Sequence, residues 1–240
     1  MSLAQPKRIL IIKLRHHSDV LLSTPVVDAL KTRFPDCEID MLVYAGTGQL
    51  IADNPQIAQI FTIDRNWKKL GVFKQLACEK NLLSKLKARD YDWAFNLSDQ
   101  WRAAVIAKLC ARCSVGFDCI KRDGFWWRFC HDFINHELDT SHHIVENQLN
   151  ILAPLIQPED VADAKVRLWV AQDARESMRQ KLREQGWNGE DYVLLHPGAR
   201  WHFKCWEDGK NAAIVQLLLN SGQNVVLTAS HNTVEQYMLQ

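Results

Sequence analysis

The sequence predicts an α/β protein built on a mostly parallel, doubly wound sheet. Three observations carry this. Residues 7–44 read as strand, polar turn, helix and strand. Short apolar strands then alternate with helical patterns as far as residue 110. A second strand–loop–helix–strand unit begins at Tyr192.

The first strand is the run Ile9, Leu10, Ile11 and Ile12, apolar on both faces as parallel sheets require. The turn Arg15-His16-His17-Ser18-Asp19 follows, and Val20, Leu21, Leu22, Val26, Val27, Ala29 and Leu30 then recur at helical spacing. Pro25 either opens the helix proper, with Thr24 as cap, or kinks a helix begun near Asp19. In open α/β sheets ligands sit outside the carboxyl ends of the strands, so this turn stands where chemistry is done. It lacks G-x-G-x-x-G, which disfavours a dinucleotide there and, with it, a nucleotide-dependent oxidoreductase. Asp19 has two readings: a helix N-cap, a place that Asp and Ser favour beside the positive helix end, and a general base facing the cleft.

Residues 38–44 form the second predicted strand, with a glycine-bearing exit loop and a short helix over 49–54. Residues 57–63 are the third strand, and 66–89 a helix with a lysine-rich outer face. Residues 93–97 are the fourth strand, followed by Ser98-Asp99-Gln100 and a helix over 101–110. The stretch 114–140 breaks the rhythm. Its segment 119–132 is basic and aromatic without a clear period: either an irregular loop packing its aromatics on the domain, or a substrate or membrane-surface contact. A helix over 143–155, a strand over 165–170 and a polar helix over 173–185 follow. The second unit then runs as strand 192–196, turn Pro197-Gly198-Ala199-Arg200, helix 206–219, strand 224–227 and a last short helix. Residues 1–171 are thus expected to form one domain and 172–240 the start of another. Two strands and two helices cannot cover both faces of a parallel sheet, so the second domain reads as incomplete in this chain.

Composition narrows the function classes. The 240 residues are 47% hydrophobic, enough for a large core, and 29 Lys and Arg against 28 Asp and Glu leave a net charge of +1. That argues against a general nucleic-acid binder. No apolar run approaches the ~20 residues that span a bilayer. The short polar leader carries no cleavable signal, and seven cysteines, an odd number, read as reduced thiols, so a cytoplasmic location is expected.

Among the motifs, Asp90-Tyr91-Asp92 matches the D-x-D of metal-dependent sugar transferases but sits where a strand begins, the wrong end of the sheet. Cys110-x-x-Cys113 has no second C-x-x-C, so a buried thiol pair is favoured over zinc. His142-His143 precede a helix and suit capping. The loop from His196 to Trp206, with Ala199, Arg200 and Lys204, joins a buried strand to a helix start. It reads as an anion site, or else as a solvated basic turn.

The stretch KRILIIKLRHHSDVLLSTPVVDALKTRFPDCEIDML resembles the amino terminus of the bacterial lipopolysaccharide heptosyltransferases, glycosyltransferase family 9. The likeness continues through YDWAFNLSDQWRAAVIAKL, HHIVENQLNILAPL and HPGARWHFKCWEDGKNAAIVQLLLNSGQNVVLT, and it is strongest to the branch that adds the third inner-core heptose. The resemblance implies the GT-B arrangement, two Rossmann-like domains with donor and acceptor meeting between them. It implies an inverting transfer from ADP-L-glycero-β-D-manno-heptose to a phosphorylated heptose/Kdo inner core, with no metal or other cofactor. The family's catalytic aspartate falls on Asp19 and its phosphate-contacting lysine on Lys204. His196, Ala199, Arg200 and Ser18 are then expected on the donor side. His16, Asp99, Gln100, Lys121, Arg122 and Arg128 are expected on the acceptor side, where the cations would meet phosphates or carboxylates. Trp126 and Trp127 would rest at the cytoplasmic face of the inner membrane, which holds the lipid part of the acceptor. The chain departs from the family pattern at Ser18, where glycine is usual, and at Asn147, where arginine is usual. Relatives are also expected to continue beyond residue 240. The alternative is therefore a truncated, inactive chain that only binds acceptor.

Overall fold

The computed structural model describes residues 5–118, 124–135, 141–199, 201–230 and 233–237. The chain divides into two compact units, Met1–Ala171 and Gln172–Gln240.

In the first unit the strands are β1 (Arg8–Lys13), β2 (Glu38–Tyr44), β3 (Gln59–Ile63), β4 (Tyr91–Asn96), β5 (Ala111–Phe117) and β6 (Phe133–Asn135). The helices are α1 (His17–Leu21), α2 (Thr24–Arg33), α3 (Val72–Lys87), α4 (Trp101–Cys110), α5 (Phe125–Phe129) and α6 (Ile144–Asn150). All six strands run parallel in the order β3-β2-β1-β4-β5-β6. The chain winds one way from β1 to β3 and the other way from β4 to β6. The order therefore reverses between β1 and β4, and a crevice opens where their carboxyl ends diverge.

Side-chain alternation along β1 explains why its whole apolar run is buried. Ile9 and Ile11 face α2, packing with Val26, Val27 and Leu30, together with Ile151 and Leu152. Leu10 and Ile12 point the other way, to Leu82 and Leu86 of α3 and to Ala103, Ile106 and Ala107 of α4. Each such side chain contributes about 1.5–3 kcal/mol by leaving water. Polar anchors tie down the starting ends of the strands. Buried Asp40 accepts from Arg89 Nε at 2.7 Å and from the Tyr91 hydroxyl at 2.6 Å. Asp90 and Asp92 both pair with Arg112 here, at 2.6 and 3.2 Å. The D-x-D carboxylates thus serve strand ends on the edge opposite the crevice.

Three local expectations are corrected. The stretch 114–140 is not wholly irregular: β5 occupies Ala111–Phe117, and α5 and β6 follow. Its small and polar residues, Ser114 and Gly116 among them, hid a strand that lies inside the sheet. Residues 165–170 form no strand, because their N–H groups bond to α2 side chains instead. Lys165 N donates to Asp28 Oδ2 and Arg167 N to Thr24 Oγ1, both at 3.2 Å. The helix expected over 143–155 ends at Asn150 and passes into turns.

The second unit holds α7 (Gln172–Glu184), β7 (Tyr192–Leu195), α8 (Asp208–Asn220), β8 (Asn224–Leu227) and α9 (Thr233–Tyr237). β7 and β8 pair in parallel. Leu194, Leu217 and Leu219 stand half or more exposed, positions that a parallel α/β unit ordinarily covers.

Candidate functional site

Two adjoining cavities open at the carboxyl ends of β1 and β4. The first, of about 390 Å³, is lined by Lys13, Arg15, Asp19, Asp99, Phe117 and residues of α6. The second, of about 300 Å³, is lined by Arg15, His16, Tyr44, Arg65, Lys68 and Arg102, among others. Both fall in the size range of small-molecule sites. Arg15 belongs to both, and its Nη2 pairs with Asp99 at 2.8 Å.

Asp19 is the third residue of α1. Its Oδ2 accepts from the His16 N–H at 3.2 Å, so the carboxylate helps start the helix. The same side chain lines the first cavity. The cap expectation is corrected: the N-cap is His16, and Asp19 supports the helix start from inside the first turn. Lys13, the last residue of β1, is 4% exposed, and its Nζ donates to the Leu97 carbonyl at 3.0 Å. Burial lowers its pKa to about 8, against the opposing pull of Asp19. Gln148 of α6 reaches the same cavity and is buried with neither Oε1 nor Nε2 bonded among the described residues. Leaving a buried amide unmatched costs about 1–3 kcal/mol.

The second cavity is cationic. Arg65 lies over the Tyr44 ring, 4.1 Å from its centroid, and Arg102 pairs with Glu79. Gln100 is held at both ends of its amide. Nε2 donates to the Leu14 carbonyl at 2.7 Å, and Oε1 accepts from the Tyr44 hydroxyl at 2.6 Å. It braces the loop after β1.

The remaining predicted residues fall elsewhere. Ser18 is exposed on α1, while Lys121, Arg122 and Arg200 lie outside the described residues. Arg128 pairs with Asp118 at 3.2 Å. Trp127 is fully buried between α4 and β5, which corrects its assignment to a membrane surface, whereas Trp126 is 69% exposed beside Phe125 and Phe129. His143 caps α6: its Nδ1 accepts from Val145 N at 3.3 Å, and Glu146 accepts from His143 N at 3.1 Å. Cys110 and Cys113 are buried free thiols whose pKa values burial pushes up to about 11. Among the described residues no His, Cys, Asp and Glu side chains gather in threes to hold a metal.

In the second unit His196 ends the β7 segment, with Nδ1 2.9 Å from the Thr228 carbonyl. Gly198 lets this turn lie close to Glu235: a Cβ there would sit 2.7 Å from the carboxylate carbon and push that side chain aside. Ala199 follows in the same turn. Lys204 closes the 3-10 turn His202–Lys204, and its exposed ammonium makes no ion pair among the described residues. The helix expected from Trp206 begins at Asp208, with Glu207 at the N-cap position but making no side-chain cap bond. Those two carboxylates already complement its positive end, which leaves Lys204 and the loop backbone, rather than the helix start, as the cationic part of this turn.

Sequence reasoning missed Lys13, Arg65, Lys68, Arg102 and Gln148. A single lysine ending an otherwise apolar strand, and the run Arg65-Asn66-Trp67-Lys68-Lys69 just after a strand exit, were the available signals.

A six-stranded parallel sheet with a carboxylate and cations at its switch point, followed by a second β-α-β unit with a basic turn, defines a Rossmann-like α/β architecture. The family model "Glycosyltransferase family 9 (heptosyltransferase)" matches residues 80–240, and the chain belongs to that family. It is 34% identical over 218 residues to lipopolysaccharide heptosyltransferase 3 of Escherichia coli (strain K12), a match covering 90% of this chain and 61% of that protein. It is 20% identical to lipopolysaccharide heptosyltransferase 1 of Campylobacter coli, over 96% of this chain and 66% of that one. The chain thus spans about three fifths to two thirds of the length of these relatives. Among solved structures, a glycosyl transferase family 9 protein from Veillonella parvula DSM 2008 superposes with a TM-score of 0.82 at 18% identity, over 100% of this chain and 67% of that one. E. coli heptosyltransferase WaaC with ADP does so with a TM-score of 0.72 at 18% identity, over 96% and 70%. The fold is GT-B type.

Proposed function

We propose that the protein to which this chain belongs transfers L-glycero-D-manno-heptose from ADP-heptose to the inner core of lipopolysaccharide, with inversion and without a metal. Asp19 carries the reading: the residue matching the family's catalytic aspartate lines a sugar-sized cavity at the switch point of the sheet. An acceptor hydroxyl attacks the anomeric carbon, its O–H proton passes to the Asp19 carboxylate, and the bond from that carbon to the ADP oxygen breaks. Attack opposite the leaving group inverts the centre. Charge gathering on the departing diphosphate is met by Lys204, Arg200 and the backbone of the turn with His196 and Ala199. Arg15, Arg65, Lys68 and Arg102 suit the phosphates or Kdo carboxylates of the core, with Lys121, Arg122 and Arg128 as further cations.

Exposed Phe125, Trp126 and Phe129 beside Arg128 fit contact with the cytoplasmic face of the inner membrane. No helix among the described residues is long and apolar enough to cross a membrane. The family match extends to residue 240 and so includes the Lys204 turn, which favours transfer over acceptor binding alone.

The direct test is heptose transfer from ADP-heptose to a heptose-deficient core by the complete enzyme; no product with any core acceptor would sink the reading. Two further results are expected. Lys204→Ala should weaken ADP and ADP-heptose binding about tenfold or more and acceptor binding little, read by calorimetry, since it removes a charge-assisted phosphate contact. Equal ADP affinity in both proteins would count against the assignment. Transfer should also persist in excess EDTA. Loss of activity that magnesium or manganese restores would show that a cation, not Lys204, meets the diphosphate.

A further inference from the structure

The loops that leave β1 and β4 are joined residue by residue. The Leu97 N–H donates to the Ile12 carbonyl at 2.9 Å, and Lys13 Nζ donates to the Leu97 carbonyl at 3.0 Å. The Leu14 N–H donates to Ser98 Oγ at 2.6 Å, and the Leu14 carbonyl accepts from Gln100 Nε2 at 2.7 Å. The peptide groups on both sides of Leu14 are therefore fixed by the loop after β4. Gln100 is fixed in turn, since its Oε1 accepts from the Tyr44 hydroxyl at 2.6 Å. Tyr44 ends β2, so three strand exits meet in one chain of hydrogen bonds.

The chemistry of these groups allows one orientation of the amide. A carbonyl can only accept, so the nitrogen must face Leu14, the oxygen faces Tyr44, and the hydroxyl donates. The path from Leu14 to the carboxylate is short. Arg15 follows, its guanidinium held by Asp99. Next comes His16, whose N–H donates to Asp19 Oδ2 at 3.2 Å and whose carbonyl accepts from the Val20 N–H at 3.1 Å. Asp19 thus takes its place from the backbone of His16, and that backbone hangs from Leu14. A base must stand within hydrogen-bond reach of the proton that it takes. Misplacement by about 1 Å can cost roughly a hundredfold in rate.

We infer that Gln100 is a positioning residue for the transfer: through the Leu14 carbonyl it fixes the loop that carries Asp19, and Tyr44 holds Gln100 in register. This rests on the transfer reading above. It replaces the contact with acceptor expected for Gln100 by action through the backbone that seats the base.

The test uses the complete enzyme with ADP-heptose as donor and deacylated core oligosaccharide as acceptor, comparing wild type, Gln100→Met, Tyr44→Phe and the double variant. Methionine keeps the length of glutamine and removes both hydrogen bonds. Its kcat should fall about tenfold or more. KM for each substrate should stay within about twofold, because binding groups are untouched. Tyr44→Phe should lower kcat less, by about threefold, since it loosens Gln100 without removing it. The double variant should match Gln100→Met within about twofold, as two members of one relay are not additive. Wild-type kcat in either folded single variant would overturn the inference. So would an acceptor KM raised tenfold with kcat retained, because Gln100 would then touch the sugar directly. Losses that multiply in the double variant would also overturn it, the two side chains then acting separately. Should Gln100→Met not fold, Tyr44→Phe decides by its kcat alone, as it removes a single oxygen. Failure of wild type to transfer heptose to any core acceptor is a separate result, visible without a variant; it would remove the functional reading and this inference with it.

Discussion

Asp19→Asn is expected to lower heptose transfer by about a hundredfold to ten-thousandfold while leaving the fold intact, the range typical for loss of a general base. The substitution separates the two roles of this residue. As the third residue of α1, Asp19 accepts the His16 N–H through one oxygen. An asparagine carbonyl can accept the same bond, and the side chains are nearly isosteric. The start of α1 should survive, with a change in stability of no more than about 1 kcal/mol. An amide cannot take a proton from the attacking hydroxyl, so turnover should collapse while acceptor and donor still bind. The measurement is a rate of ADP release in the complete enzyme, paired with a melting curve. Turnover near wild type would refute the base assignment. A large fall in melting temperature would mean the carboxylate serves the helix first.

The largest expected effect on stability lies at Trp127. Truncation to alanine should cost about 3–5 kcal/mol, as for other large buried aromatics. The indole is wholly buried against Ala104, with Trp101 edge-on at 5.5 Å and His131 tilted at 4.9 Å. Its Nε1 donates to the Phe117 carbonyl at 3.0 Å, and the carbonyl of residue 127 meets His131 Nδ1 at 3.0 Å. His131 in turn lies so close to Gly116 that a Cβ there would come within 2.4 Å of the ring. One side chain therefore seats α5 on α4 and fixes the end of β5, where Phe117 forms part of the Asp19 cavity. Neighbouring Trp126 is the control. It is mostly exposed, and its alanine variant should shift stability by no more than about 0.5 kcal/mol. Equal denaturation midpoints for the two variants would show that the buried indole does not anchor this corner.

These two tryptophans also show what the sequence could and could not disclose. Both stand in one aromatic, basic run, and no period in Cys119–Asp132 distinguishes them. Which of them is buried depends on α4, which approaches from another part of the chain. The opening strand, turn and helix were legible because β1 is apolar on both faces and its pattern is local. β5 was not, since Ser114 and Gly116 interrupt the apolar run and are buried by hydrogen bonding and close packing instead. The same division runs through the site. Asp19 was readable from its place after a strand, whereas Lys13 and Gln148 gain their meaning only when β1, β4 and α6 come together. Their environment is set by distant residues, Leu97 for one and the cavity wall for the other.

The reversal of strand order between β1 and β4 also sets a schedule for synthesis. Lys13 bonds to Leu97 and the Leu14 N–H to Ser98, each across 84 residues of chain. A ribosome adding about 5–20 residues per second needs roughly 4–17 seconds to make the intervening segment. Until then the strand that centres the sheet has a neighbour on one side only, and Ile9 to Ile12 lie along an open edge that invites pairing with other chains. The floor of the site and the protection of that edge therefore arrive in the same event, the docking of β4.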